Sequence, residues 1–222
     1  MARPRQALLS RERIISAASA LIDAEGLEAL STRRLAAELG VQGQSLYHHF
    51  TNKEEILDAV ANEIALDIDV SFFADHDWRL ALLRWGHSYR RALLAHPHIV
   101  PFLAQGPGRR PAALAMADAV YGGLVDAGWP PARATHVGAV MRYFVAGSAL
   151  GSFARGFVED PTLYANDYPH LNQAHRLAEN QQAVDDGAFA LGIAALIDGL
   201  SGVFERLVGP LPPLDVAALG VV

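Results

Sequence analysis

The chain has 222 residues, of which 51% are hydrophobic and 19% charged, with a net charge of −6 and no cysteine. That length gives one or two domains and a sizeable core, and the composition is that of a globular protein. Without cysteine there is neither a disulfide framework nor thiolate chemistry.

The basic N-terminus MARPRQALLSRER leads into no apolar signal core, and no stretch reads as an uninterrupted membrane span, so the expectation is a cytoplasmic protein without a membrane partner. The charge is unevenly placed. Residues 1–55 carry seven basic and seven acidic side chains, leaving 11 of the 18 basic and 17 of the 24 acidic for the remainder. A local basic footprint on an otherwise acidic chain suits contact with phosphates.

Residues 1–9 read as an arm in which Arg3 and Arg5 could reach phosphates or a minor groove, or simply solubilise the terminus. From Ser10 to Glu25, Ile14, Ala17, Ala18, Leu21 and Ile22 recur at helical spacing, and Gly26 ends the run. Next comes TRRLAAELGVQGQSLYHHFTNK, Thr32 to Lys53. Ser31 stands where an N-cap belongs. Leu35 and Leu39 lie at i and i+4 on one face, and Gly40 follows where a left-handed residue is tolerated. Val41 opens a second short segment with Leu46 and Phe50 directed inward. Its other face carries Gln42, Gln44, Ser45, Tyr47, His48 and His49, none of them acidic. Two short helices around a tight glycine turn form a helix-turn-helix, and such a polar face suits the major groove. Gln42, Gln44, Ser45 and His48, with Arg33, are the candidates for base edges. Tyr47, His49 and Lys53, the single lysine of the chain, are the candidates for phosphates.

These residues carry a resemblance. Thr32 to Lys53, with Ile14–Gly26 before it and Leu57 after it, resembles the DNA-binding signature of the TetR family of transcriptional regulators. The resemblance implies a three-helix DNA-binding head over residues 1–51, a helical ligand-binding and dimerisation body over 52–208, and a loose tail over 209–222.

Asn52 caps a fourth helix, Lys53 to about Ile68, and Glu55 completes a capping box. This helix is expected to be the one covalent element joining head to body. Phe72 to Asp77 reads as a linker. The helices expected beyond it are Trp78–Ala95, a short segment Ile99–Leu103, Pro111–Ala127, Pro131 to about Gly156, Pro169–Gln181, and one from Asp185 or Asp186 to Val208. Glu159 to Tyr168 reads as a polar loop. The fold class expected is all-α.

Two patterns in the body bear on function. Gly192, Ala195, Gly199 and Gly202 lie at spacings of 3, 4 and 3, and Gly147 and Gly151 lie four apart. Small residues on one stripe let helices approach closely, within one chain or between subunits. The resemblance implies a homodimer built by the last helix and the one two before it. The second pattern is aromatic. Trp85, Tyr89, Phe102, Met141 and Phe144 could line an apolar pocket, or could be core. By resemblance this body binds the inducer. It also resembles the tetracycline-binding members of the family, notably along Tyr89–Leu94. Their drug-chelating groups do not carry over: Asp69 and Gly151 stand at the positions of a histidine and a glutamate, and Trp85 at that of an asparagine. A largely apolar effector is therefore expected, with no cofactor and no metal site. His96-Pro97-His98 reads as a turn after a helix.

The sequence supports a ligand-responsive regulator, with a repressor expected, that binds a palindromic operator as a homodimer. The rival is a helical enzyme or carrier that uses the aromatic pocket and keeps the head as an interaction module.

Overall fold

The computed structural model describes residues 9–75, 77–106, 108–165 and 168–214. Arg3, Arg5 and the end of the tail lie outside the described residues. Among the described residues there is no strand, and the all-α expectation holds.

The head forms from local signals. Helix α1, Arg11–Glu25, starts where Ser10 Oγ accepts the Arg13 N–H at 3.2 Å. Helix α2, Thr32–Leu39, starts where Ser31 Oγ accepts the Arg34 N–H at 3.1 Å. It ends at Gly40, whose φ of 67° is the left-handed conformation that a side chain resists. Helix α3, Gly43–Leu46, is a single turn. Helix α4, Lys53–Leu66, begins where Asn52 Oδ1 accepts the Glu55 N–H at 2.8 Å. The capping box is displaced by one residue. Glu55 Oε2 takes the Thr51 N–H at 2.7 Å and the Thr51 hydroxyl at 2.6 Å, rather than the N–H of Asn52.

Beyond the head the chain is helical, but it differs from expectation in five places. The expected linker contains a turn of helix, α5, Phe72–Asp75. Helices α6, Trp78–Ala95, α7, Val100–Leu103, and α8, Pro111–Asp126, follow as the periodicity indicates. Helix α9, Pro131–Ala149, stops well short of Gly156. Gly147 and Gly151 are poor helix formers, and Ser152 Oγ accepts the Ala154 N–H at 3.1 Å to start a separate 3₁₀ turn, Phe153–Gly156. The expected polar loop holds α10, Pro161–Ala165, because Asp160 Oδ1 accepts the Thr162 N–H at 2.8 Å. In place of a helix from Pro169 there are three 3₁₀ turns, Pro169–Leu171, Ala174–Arg176 and Ala178–Asn180. Helix α11, Gln181–Leu207, then starts one turn earlier than Asp185. By length and composition α11 could cross a membrane, contrary to the sequence expectation, yet little of it is buried within the chain.

The chain divides into two compact units: residues 1–68 with 92–116, and residues 69–91 with 117–222. Helix α4 lies within the first unit, which the chain first leaves between residues 68 and 69. Helix α6 passes from one unit to the other between residues 91 and 92, and α8 between 116 and 117.

In the first unit α1 is the hub. Ile14, Ala18, Leu21 and Ile22 on α1, Leu35 and Leu39 on α2, Leu46 and Phe50, and Ile56, Val60 and Ile64 on α4 are all buried. The segment after α6 docks on the C-terminal end of α1. His96 Nδ1 lies 2.9 Å from Asp23 Oδ2, and His98 Nδ1 donates to the Ile22 carbonyl at 3.0 Å. The second unit holds α9 and α11 against α6. Gly86 on α6 leaves room for the Ile193 side chain, and Gly192 leaves room for the Phe144 ring, which a Cβ there would meet at 2.5 Å. Trp78, Trp129 and Phe204 form a buried aromatic triangle with centroids 5.2–5.6 Å apart. Arg79, held by Asp77, donates to the Pro212 carbonyl at 2.8 Å and fixes the chain beyond α11.

Glu55 gives a pH test of the head. The Thr51 hydroxyl, then the Thr51 N–H, with Arg11 contributing less, lower its pKa from 4.5 to about 2. Its contribution to stability is complete above the unfolded value and is lost as pH falls through the folded one. We predict that Glu55→Gln removes part of the acid sensitivity of unfolding between pH 4.5 and about 2, followed by circular dichroism in urea. Equal acid slopes for variant and wild type would contradict this.

Candidate DNA-reading and ligand-binding sites

The DNA-reading face is built by a segment with little helix of its own. After α3 the chain continues in tight turns, with His49 N–H and Phe50 N–H both donating to the Leu46 carbonyl at 2.9 and 3.0 Å. Leu46 and Phe50 are 1% and 3% exposed, so they anchor the segment from below. That leaves Gln42, Gln44, Tyr47 and His48 exposed, with Ser45, His49 and Lys53 half-buried. From Gly40 to Lys53 no acidic side chain interrupts this face.

The two arginines that open α2 have different surroundings. Arg33 is exposed and forms no ion pair among the described residues. Arg34 bonds to Glu25 on α1 at 2.7 Å and lies 3.7 Å from Glu38 one turn on, so it joins α1 to α2. A third arginine, Arg11 at the start of α1, was not singled out by the sequence. It donates to the His49 carbonyl at 2.6 Å and to Glu55 Oε1 at 3.1 Å. No periodicity marks such a contact, because its partners lie 38 and 44 residues away.

The aromatic residues of the body fall into separate groups. Trp85 and Tyr89 are buried on α6 in the second unit. Their rings stack at 5.8 Å, and Phe73 meets Trp85 edge-on at 6.1 Å. The Trp85 indole N–H is buried without a hydrogen-bond partner. Met141 is completely buried, close to Gly86. Phe144 stacks on Phe189 at 5.4 Å, and the Arg90 guanidinium lies 4.6 Å from the Phe189 ring centroid while pairing with Asp186 at 2.7 Å. Burial beside Phe189, then the charges of Arg90 and Arg84, hold His87 below its usual pKa and keep it neutral at pH 7. Phe102 is in the other unit, under the Arg110 guanidinium at 5.3 Å.

A cavity of about 380 Å³ opens beside Phe144 and Phe189, lined also by Tyr143, Gly147, Gly151 and Phe153. Two of the small residues expected at a subunit seam thus help to shape a cleft. Gly199 has open space where a side chain would project, as do Gly147 and Gly151. Ala195 is exposed, and Gly202 faces the Arg206 side chain of its own helix. Gly192 is filled from within the chain by Phe144. Asp69 is tied to Ser71, whose N–H and hydroxyl it accepts at 2.9 and 2.7 Å. Among the described residues no group of three or more histidine, aspartate or glutamate side chains is placed to hold a metal ion.

Comparison with known proteins agrees with this geometry. Residues 14–60 match the model for bacterial regulatory proteins of the tetR family, and residues 74–204 match the tetracyclin repressor-like C-terminal domain. The chain is 38% identical to the tetracycline repressor protein class C of Escherichia coli over 204 residues, 86% of this chain and 90% of that one. ActR of Streptomyces coelicolor in complex with actinorhodin superposes with a TM-score of 0.70 at 27% identity, covering 97% of this chain and all of ActR. A TetR variant from Acinetobacter baumannii AYE in complex with minocycline gives 0.66 at 28% identity, covering 90% and 98%. The chain belongs to the TetR family of bacterial regulatory proteins, and it is a ligand-responsive transcriptional regulator that binds DNA through its helix-turn-helix.

Proposed function

We propose that this chain is a homodimeric repressor that works in the cytoplasm and is released from a palindromic operator by a largely apolar small molecule. The observation that carries the reading is the exposed, acid-free face from Gln42 to Lys53, anchored from below by Leu46 and Phe50. Gln42, Gln44, Ser45 and His48, with Arg33, read base edges. Tyr47, His49 and Lys53 grip phosphates. We predict that Arg33→Ala relaxes sequence preference at a cost of about 1–3 kcal/mol. Lys53→Ala should weaken all sequences alike and lower the salt slope by about 1. Titrations of specific and random duplexes at several salt concentrations check both; unchanged binding in both variants would mean that the head is misassigned.

The dimer is carried by α9 and α11. Val140, Tyr143 and Gly147 form an exposed stripe on α9 that continues to Gly151 just beyond it, and Leu191, Ala195 and Gly199 form one on α11. Leu191 is 74% and Tyr143 71% exposed, and exposed apolar surface of this kind marks an interaction site when it is contiguous. This also accounts for the membrane-like composition of α11. Gly199→Leu should give monomers whose melting temperature no longer depends on protein concentration, whereas Gly192→Leu should lower the melting temperature by colliding with Phe144. Light scattering and thermal melting on both variants decide, and a dimeric Gly199→Leu protein would move the seam elsewhere.

The effector site lies in the second unit, among Trp85, Tyr89, Met141 and Phe144. Two structural neighbours hold minocycline and actinorhodin. Asp69, Gly151 and Trp85 at the positions of the drug-binding groups support an effector more apolar than a metal-chelated drug. Helix α6 carries Trp85 and Tyr89 and ends one residue before His96, which is fixed to Asp23 of the head. A ligand that shifts α6 therefore has a route to α1 as well as through α4. A ligand that lowers operator affinity must bind more weakly to the DNA-bound form, with a coupling of about 1–3 kcal/mol in typical cases. Phe102 belongs to the first unit and is not counted in this set. Trp85→Ala or Phe144→Ala should keep operator binding and blunt release by the natural effector. If these aromatics are only core, truncation should instead cost about 3–5 kcal/mol with an unchanged ligand response. Melting temperature and ligand-induced release measured on one variant separate the two.

A further inference from the structure

We infer that Arg11 is a positioning residue for DNA reading: it holds the end of the recognition segment in register by tying the His49 carbonyl to Glu55 of α4. This rests on the proposed reading of Gln42 to Lys53 as the DNA-contacting face.

The inference starts from what α3 lacks. A four-residue helix has no stability of its own, since a first turn fixes several residues for one hydrogen bond. Tyr47 and His48, proposed to meet DNA, lie beyond its last helical residue. Their backbone direction is set by what fixes residues 46–50. From the core side this is done by Leu46 and Phe50. From the open side it is done by Arg11. One guanidinium nitrogen donates to the His49 carbonyl at 2.6 Å, the other to Glu55 Oε1 at 3.1 Å, and the cationic carbon sits 4.0 Å above the Phe50 ring. One side chain thus touches the recognition segment twice and the first turn of α4 once.

Glu55 is itself held. Its second oxygen accepts the Thr51 N–H and hydroxyl, and its own N–H is capped by Asn52. The lowered pKa of this carboxyl shows that the charged form is the favoured one. The clamp therefore links the start of α1 to the end of the recognition segment and the start of α4, 38 and 44 residues further along the chain. The planar fork of arginine suits the task, since it donates in two directions at once, and a lysine ammonium on a flexible stem does so less well. Two of the five Arg11 donors are engaged with protein oxygens, so a positioning role and a phosphate contact are separated by the test below.

The test compares wild type with Arg11→Ala and Arg11→Lys, using a duplex selected from random sequence by the wild type and a random duplex of equal length. Amide hydrogen exchange of residues 45–50 is followed without DNA. The clamp predicts that Arg11→Ala loses about tenfold in affinity for the selected duplex and little for the random one, at an unchanged salt slope. Exchange at residues 45–50 should rise by about tenfold while the α1 core keeps its protection. Arg11→Lys should fall between the two. Loss on both duplexes alike, with a salt slope lower by about 1, would make Arg11 a phosphate contact and overturn the proposal. Unchanged exchange and unchanged affinity would reduce it to a surface ion pair. If the wild type selected no duplex, the reading of the face as DNA-binding would fail, while the exchange comparison would still decide the clamp.

Discussion

The structure depends on a constraint at its business end. A recognition segment that leaves nearly every polar side chain exposed cannot also bury enough to hold itself. Helix α3 is one turn long, and only Leu46 and Phe50 of the segment reach the core. Everything around it supplies the missing rigidity. Helix α1 provides the apolar floor with Ile14, Ala18 and Leu21, α2 is pinned to α1 through Arg34 and Glu25, and α4 is capped at its start by Asn52. The head is small, and its stability comes from packing one hub helix against two neighbours rather than from helix propensity.

The same hub connects the head to the rest of the chain. His96 and His98 fix the end of α6 to the C-terminal end of α1 through Asp23 and the Ile22 carbonyl. Helices α6 and α8 each run through both compact units. In the second unit the small residues divide their work. Gly86 and Gly192 let side chains of neighbouring helices into the space a Cβ would fill, while Gly147, Gly151 and Gly199 leave open surface. One composition thus serves internal packing on one side and a proposed subunit seam and cleft on the other.

The head was legible in the sequence because its signals are local. Ser31 as cap, Gly40 as left-handed stop and Asn52 as cap each act within four residues, and each is found in its place. The body was legible in its long periodic helices and less so between them. The early stop of α9 turns on Ser152 starting a competing turn, and α10 on Asp160 capping five residues that read as a loop. Contacts across the chain left no signal. Arg11, Asp23 and Arg34 read as surface charges until their partners at His49, His96 and Glu25 come into contact. The aromatic set shows the same limit. Helical spacing indicates which rings point inward, but not that Trp85 pairs with Tyr89 while Phe144 pairs with Phe189 and Phe102 lies in the other unit.

The central claim is that this face reads a two-fold operator. It is tested most directly by sequencing the fragments that the purified protein retains from its own genome at rising salt. The account predicts a shared imperfect palindrome whose half-sites are centred one helical turn apart, about 10–10.5 base pairs, or a multiple of it. Retention of that sequence should outlast retention of bulk DNA as salt rises. Fragments kept in proportion to their length, with no common sequence, would contradict it.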